Sequence, residues 1–319
     1  MTYLIRHVTG FYYEPAVGES VMEVRLQPRS DTRQRCLTSS LEVNPHASVI
    51  VYRDFYGNAV HHFDIPGKHN SIEVLSEATV DMLPRLDVDA LKQSAWDELD
   101  ELVSQGDYWE MLLPSQFARP TTMLEKLRAD LKLERRGEPL ALLKELNTAI
   151  YEGFSYAPNT TRVDSPIDDA LQSRQGVCQD FAHIMIALVR ELRIPCRYVS
   201  GYLYHEDKSH DRSPAGATHA WVEAYLGEPG WVEFDPTNNL LGCERHIRVA
   251  VGRDYADVPP TRGVHRGDAE SELRVRVTVS LVDAPRPEDL GPAMVLRTKR
   301  PPAPANSDLA HFQNQQQQQ

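Results

Sequence analysis

Apolar and polar positions alternate along the first 84 residues. The runs "TYLIRHVTGFYY", "SVMEVRLQP", "CLTSSLEVNP", "SVIVYRDFYGNAVHHFDI" and "NSIEVLSEATVDML" are rich in β-branched and aromatic residues and are parted by Gly, Pro, Asn and Asp. Such period-two runs predict strands. Inside the fourth, Gly57-Asn58 supplies a hairpin turn, because both residues tolerate positive φ. Several strands with no helix between them predict a β-sandwich domain over residues 1–85.

The period changes from about residue 88. "ALKQSAWDELDELV", "TMLEKLRADLKL" and "PLALLKELNTAIYEGF" carry apolar residues three and four apart, which predicts helices, the third opening at Pro139. The first two make a helical connector over residues 86–138. Residues 139–285 then read as a mixed domain. Its main helix, "VCQDFAHIMIALVREL", has Cys178, Phe181, Ala182, Met185, Leu188, Val189 and Leu192 along one stripe. The strand-like runs "CRYVSGYLY", "THAWVEAYL" and "WVEFDP" follow, and the late alternating run "ELRVRVTVSLV" is expected to close their sheet. Residues 286–319 turn Pro-rich and end in "QNQQQQQ"; such a segment buries too little apolar surface to offset its ordering entropy and is expected to be disordered. The fold class that emerges is α+β.

Composition narrows the partners. The chain has 319 residues, 41% hydrophobic and 25% charged, with a formal net charge of −12, which suits a globular protein with a sizeable core. With no excess of Lys and Arg to neutralise phosphates, no nucleic acid and no anionic membrane surface are expected as partners. The N-terminus lacks the apolar stretch of a signal peptide, and no segment is apolar for long enough to span a bilayer. The four cysteines, Cys36, Cys178, Cys196 and Cys243, are too scattered for a disulfide framework and suit a reducing, cytoplasmic location. No oligomeric state is implied.

Candidate chemistry begins at Cys178. It sits just after Gly176 at the start of the main helix, where unpaired N–H groups and the helix dipole favour a thiolate. Burial alone would raise the thiol's pKa, so a reactive thiolate needs a positive partner. Alternation puts His219, Trp221, Glu223 and Tyr225 on one face of their strand, and Trp231, Glu233 and Asp235 on one face of the next. The "GEPG" linker makes the two a hairpin. If Leu226 pairs with Trp231, Asp235 faces away from His219. If Tyr225 pairs with Trp231, Asp235 opposes Trp221 and lies diagonal to His219. Only the second register lets the carboxylate hold the imidazole. Cys178 as nucleophile, His219 as base and Asp235 as orienter would then support acyl transfer, with the Cys178 N–H as one oxyanion donor and Gln172 as a candidate second. A metal site built from Cys178 with His183, His205, His210, His61 or His62 is the rival, but no closed ligand spacing such as CxxC is present. The polar stretch "YHEDKSHDRSPAGATH" reads as a loop leading to His219.

The blocks "FSYAPNTT", "GVCQDFAHIMIALVRELRIPCRYVSGYL", "THAWVEAYLGEPGWVEFDPTNN" and "HIRVAVGRDYADVPPTRG" together resemble the bacterial transglutaminase-like superfamily of cysteine enzymes. "YYEPAVGESVMEVRLQP" and "DFYGNAVHHF" resemble the domain that often precedes that core. The resemblance covers the chain to about Val282. It implies a papain- or transglutaminase-like core with Cys178, His219 and Asp235 in the roles above, and no metal or organic cofactor. Arg193 stands where the family usually has Gly, and Cys196 where it usually has Ala; neither touches the three. The expected activity is cysteine-dependent hydrolysis of amide bonds in a peptide or protein substrate. Amine transfer to glutamine or deamidation is the alternative, and a catalytically silent peptide-binding module the second.

Overall fold

A computed structural model describes residues 1–84, 95–158, 160–206 and 209–283. The tail expected to be disordered, and residues 85–94 of the connector, lie outside the described residues. The first strands are β1 (Thr2–Val24), β2 (Gln34–Asn44), β3 (Ile50–Arg53) and β4 (Ala59–Met82). The long strands β1 and β4 run antiparallel from Thr2↔Asp81 to Val24↔His61, with register shifts between Tyr12 and Glu19. The turn between β3 and β4 forms as expected: Gly57 has φ 75° and donates to the Asp54 carbonyl, and Asp54 Oδ1 accepts from Asn58 N.

After α1 (Trp96–Ser104), α2 (Thr122–Asp130) and α3 (Pro139–Gly153) come β5 (Ser155–Tyr156), α4 (Ile167–Ser173), β6 (Gln175–Gly176) and α5 (Cys178–Glu191). The strands β7 (Cys196–Leu203), β8 (His219–Tyr225), β9 (Trp231–Asp235), β10 (Leu240–Leu241) and β11 (His246–Gly252) form an antiparallel sheet in the order β10-β9-β8-β7-β11. The chain ends its described course with β12 (Thr261–His265) and β13 (Glu270–Val282).

The N-terminal β region forms as expected, its strands joined by hydrogen bonds into one six-stranded sheet together with β12 and β13. One expectation changes here. The late run "ELRVRVTVSLV" does not close the sheet of the mixed domain. As β13 it pairs with β1, from Thr2↔Val282 to Glu14↔Glu270, and β12 pairs with the other half of β1. Alternation specifies which face of a strand is buried but not which sheet edge receives it. The chain therefore starts and finishes its described course in the same sheet, and residues 1–283 form one compact unit. A single hydrophobic cluster joins Tyr3, Ile5, Val80 and Val277 to the helix and sheet around Cys178.

The helix α5 is buried on nearly every side, not along one stripe. Its apolar residues from Phe181 to Val189 are essentially inaccessible, those larger than alanine each contributing about 1.5–3 kcal/mol of burial free energy. The polar residues among them are satisfied internally. Arg190 donates to the carbonyls of Met111, Cys196 and Arg253 and to Ser115 Oγ. His183 accepts from Tyr255 N and stacks on Phe117, and burial lowers its pKa to about 3, so it is a neutral core residue. This central helix is the rigid post on which Cys178 is mounted.

Candidate active site

The start of α5 is built by Asp180. Its Oδ2 accepts from Val177 N at 2.8 Å and from Thr161 Oγ1 at 2.7 Å, closing the first turn by the side chain of its third residue. Cys178 is the first helical residue and is half-buried. Its backbone N–H has no intrahelical acceptor at that position. Burial lifts the phenols of Tyr156 and Tyr198, two of its neighbours, far above their ordinary range, so they stay neutral beside the thiol.

The hairpin takes the register Tyr225↔Trp231, with Val222 opposite Phe234. Its polar face consequently carries His219 and Asp235 together, and His219 Nε2 lies 2.8 Å from Asp235 Oδ2. Both are buried. The other ring nitrogen, Nδ1, is buried and makes no hydrogen bond of normal geometry. The Cys178 thiol is nevertheless near enough to raise the ring's affinity for a proton. This is a loose thiol–imidazole contact of the kind that tightens when substrate binds. Burial acts to lower the His219 pKa, but the Asp235 charge and hydrogen bond outweigh it, with Cys178 adding to the effect, and hold it well above the usual imidazole range.

Asp235 is held by more donors than the hairpin alone predicts. Its Oδ1 accepts from the backbone of Thr237 at 3.0 Å and Asn238 at 3.2 Å, the turn that Asp-Pro-Thr-Asn favours. Its Oδ2 accepts from Asn238 Nδ2 at 2.8 Å and from a second imidazole, His246 Nε2, at 3.1 Å. Burial would raise this carboxyl, but His219 first and then His246 keep it ionised far below the ordinary range. His246 and Asn238 escaped the sequence reading. The Asx turn after Asp235 could have pointed to Asn238; His246 depends on the pairing of β11 with β7, which no local pattern fixes.

Trp221, fully buried, stacks beside His219 at 5.9 Å between ring centroids and 27° between planes. Room for it is made by Gly201, directly opposite His219 on β7, where a Cβ would collide with the Trp221 ring and the Ile247 carbonyl. Gln172 is solvent-exposed on α4 and hydrogen-bonds to none of these residues, because the chain turns at Arg174 (φ 56°) and passes through β6 before reaching Cys178. The structure thus gives it no part in the site.

The rival metal ligands are dispersed. His183 is in the core, His205 pairs with Asp211 at 3.2 Å, and His61 and His62 lie on β4. His219 Nε2, Asp235 Oδ2 and His246 Nε2 do lie within 4.8 Å of one another. With Oδ2 ionised, each Nε2 serves it as a donor, and the three form a hydrogen-bonded group.

Comparison with known proteins places the chain in a family. Residues 130–236 match the transglutaminase-like superfamily and residues 3–81 match the bacterial transglutaminase-like N-terminal region. The uncharacterized protein ML0607 of Mycobacterium leprae is 34% identical over 279 residues, spanning 86% of this chain and 96% of that one. A protein-glutamine gamma-glutamyltransferase of Pseudomonas aeruginosa is 35% identical over 142 residues, 40% of this chain and 20% of that protein. Among solved structures, a candidate cysteine protease from Cytophaga hutchinsonii superposes with a TM-score of 0.67 at 23% identity, covering 89% of this chain and 92% of that one, which shows a shared fold. The chain, an α+β protein with an N-terminal β region, belongs to the transglutaminase-like superfamily.

Proposed function

We propose that this protein is a cysteine-dependent enzyme that hydrolyses amide bonds in peptides or proteins through a thioester intermediate, with Cys178 as nucleophile, His219 as general base and acid, and Asp235 as the group that orients and charges the imidazole. The observation that carries this reading is the hairpin register, which sets Asp235 against His219 Nε2 at 2.8 Å and leaves Nδ1 for the thiol. The proton of Cys178 passes to Nδ1, and the imidazolium is stabilised by the ionised carboxylate. The thiolate attacks the carbonyl carbon, and the oxyanion is met by the unpaired N–H at the start of α5. His219 then protonates the leaving amine, and afterwards deprotonates the water that cleaves the thioester.

Amine transfer is the second reading, favoured by the name of the Pseudomonas aeruginosa relative. It needs a surface that excludes water and holds a neutral alkylamine. Water needs no such surface and is the simpler acceptor. A peptide-library cleavage screen, run beside incorporation of a tagged primary amine into a glutamine-containing protein with Cys178→Ala as blank, separates the two. Cys178-dependent cleavage is the expected result. Amine incorporation without hydrolysis would overturn the hydrolase assignment, and iodoacetamide labelling of Cys178 no faster than of Cys36 would overturn the enzyme reading.

A further inference from the structure

Asp235 serves two imidazoles, and the second one has a thiol of its own. His246 Nε2 lies 3.1 Å from Asp235 Oδ2, and His246 Nδ1 lies 3.3 Å from Cys243 Sγ. The ring is fully buried and fixed at both nitrogens, Nδ1 also receiving the Cys243 backbone N–H at 3.2 Å. Cys243 itself is half-buried, in the tight turn between β10 and β11. Arg245 stands beside the thiol, anchored by Asp211 at 2.8 Å and the Tyr204 carbonyl at 3.2 Å. Tyr3, from β1, is a further titratable neighbour of the thiol.

We propose that Cys243, His246 and Asp235 form a second thiol–imidazole–carboxylate set, that its thiol is a modification site for small hydroperoxides, and that the set is coupled to His219 through the shared carboxylate oxygen. In the modification step the Cys243 thiolate attacks one peroxide oxygen. An S–O bond forms as the O–O bond breaks, the sulfur is oxidised to a sulfenic acid and the peroxide is reduced. The departing alkoxide or hydroxide is protonated by solvent water.

The four cysteines are not equivalent in this respect. Burial raises Cys36 and Cys196 to about 11 each. Burial acts the same way on Cys243, but His246 and then Arg245 outweigh it and bring the thiol down to about 7. A thiol with that affinity is substantially ionised at neutral pH and is a stronger nucleophile toward peroxide than either neutral one. The coupling follows from the geometry. The His219 and His246 rings are 6.1 Å apart, and both depend on one carboxylate oxygen for their positive charge, so each imidazolium disfavours the other.

The modification half stands without the enzymatic reading; the coupling half rests on His219 acting on Cys178. The first is therefore read in Cys178→Ala, treated with hydrogen peroxide and dimedone at neutral pH, with trapped sulfenates assigned by peptide mass spectrometry. Cys243 is expected to be trapped at least tenfold faster than Cys36 and Cys196, a comparison within one folded protein. His246→Gln, checked for folding by near-UV circular dichroism, is expected to lose most of that advantage. Equal trapping of the three thiols overturns the site, whatever becomes of amide hydrolysis. For the coupling, Cys243→Ser leaves His246 more often neutral. The acid limb of the pH profile for Cys178 alkylation is then expected to move to lower pH, and superimposable profiles overturn the coupling.

Discussion

The hairpin β8–β9 carries carboxylates at both ends of one face, and the two ends are handled differently. At one end Asp235 is held by His219 and His246. At the other, Glu223 and Glu233 sit directly opposite each other, fully buried, a like-charge pair that would be destabilising alone. Three guanidiniums compensate it: Arg197 Nε at 2.6 Å and Arg248 Nη1 at 2.8 Å from Glu223, and Arg33 Nη1 at 3.2 Å from Glu233. Arg248 also pairs with Asp31, and Arg33 donates to the Trp231 carbonyl, so this end fastens the segment before β2 onto the sheet. A guanidinium keeps its proton throughout; an imidazole gives it up and takes it back. One end of the face is locked in charge and holds the fold together, while the other sets imidazoles, which can exchange protons, beside a thiol.

The comparison is broken most severely at Asp235. Asp235→Asn keeps the shape but cannot stabilise the imidazolium, and sets an amide NH2 either against the two imidazoles or against the backbone N–H groups of Thr237 and Asn238. Loss of roughly 10³–10⁴-fold in Cys178-dependent turnover is expected, by the scale of such losses in comparable triads, measured as kcat/KM on a cleaved peptide. A loss under tenfold would remove Asp235 from the mechanism.

At the other end the penalty falls on stability. Glu223→Ala strands the Arg197 charge and takes one of its partners from Arg248, which keeps Asp31, and is expected to cost about 3–5 kcal/mol in denaturant unfolding, with Cys178 labelling unchanged in the protein that remains folded. The pH response distinguishes the ends by sign. Burial would raise Glu223, but Arg197, Arg248 and Arg33 hold it at about 2 against an ordinary value of 4.5. Its contribution is therefore complete above pH 4.5 and is lost as pH falls toward 2. For His219, whose pKa is raised on folding, the sign is opposite: its contribution is complete below the ordinary imidazole range and is lost as pH rises through the raised value. Melting temperature followed across pH should fall in acid for the unaltered chain, with a smaller fall in Glu223→Gln. An equal fall in both would detach the acid response from this cluster.

Gly201 lies opposite His219, at the imidazole end, under Trp221. Gly201→Ala forces a methyl group against the indole ring and the Ile247 carbonyl and is expected to destabilise by about 1–3 kcal/mol. Because Trp221 stacks on His219, the reactive end should suffer with it. Cys178 labelling should slow while the acid limb of stability keeps its shape. Unchanged labelling would show that the indole does not position the imidazole.

Much of the imidazole end was legible in the chain. Strand alternation placed His219 and Asp235 on faces and reduced the hairpin to two registers, of which Tyr225↔Trp231 is the one formed. The start of α5 was legible from Gly176 and the apolar run. Four features were not. The exposed position of Gln172 depends on the turn at Arg174. The second imidazole comes from β11, whose place beside β7 is a long-range pairing. The burial of α5 on all sides was hidden because Asp180, His183 and Arg190 read as a polar face, whereas each finds its partners inside the protein. The destination of β13 was illegible for a related reason, since edge pairing is settled by the whole sheet.

The smallest expected effect tests the post that carries Cys178 and leaves both ends alone. The helix α5 finishes with two bonds that satisfy its last carbonyls: Arg193 N to Arg190 O at 2.9 Å and Ile194 N to Val189 O at 3.4 Å. That arrangement needs a left-handed residue at Arg193, which has φ 59°, and glycine adopts it without the clash of a Cβ. The left-handed conformation costs a non-glycine residue about 1–2 kcal/mol, partly offset because glycine loses more freedom on folding. The Arg193 side chain contributes little in return: its guanidinium is exposed and 4.0 Å from Asp100, a surface pair of small worth. Arg193→Gly is accordingly expected to stabilise the chain by about 0.5–1 kcal/mol, seen as a higher urea midpoint at unchanged slope. The acid limb set by Glu223 and the alkylation profile of Cys178 should not move, since neither end of the hairpin face touches this turn. A lower midpoint would mean that the Arg193 side chain, not the backbone conformation, governs how α5 is closed.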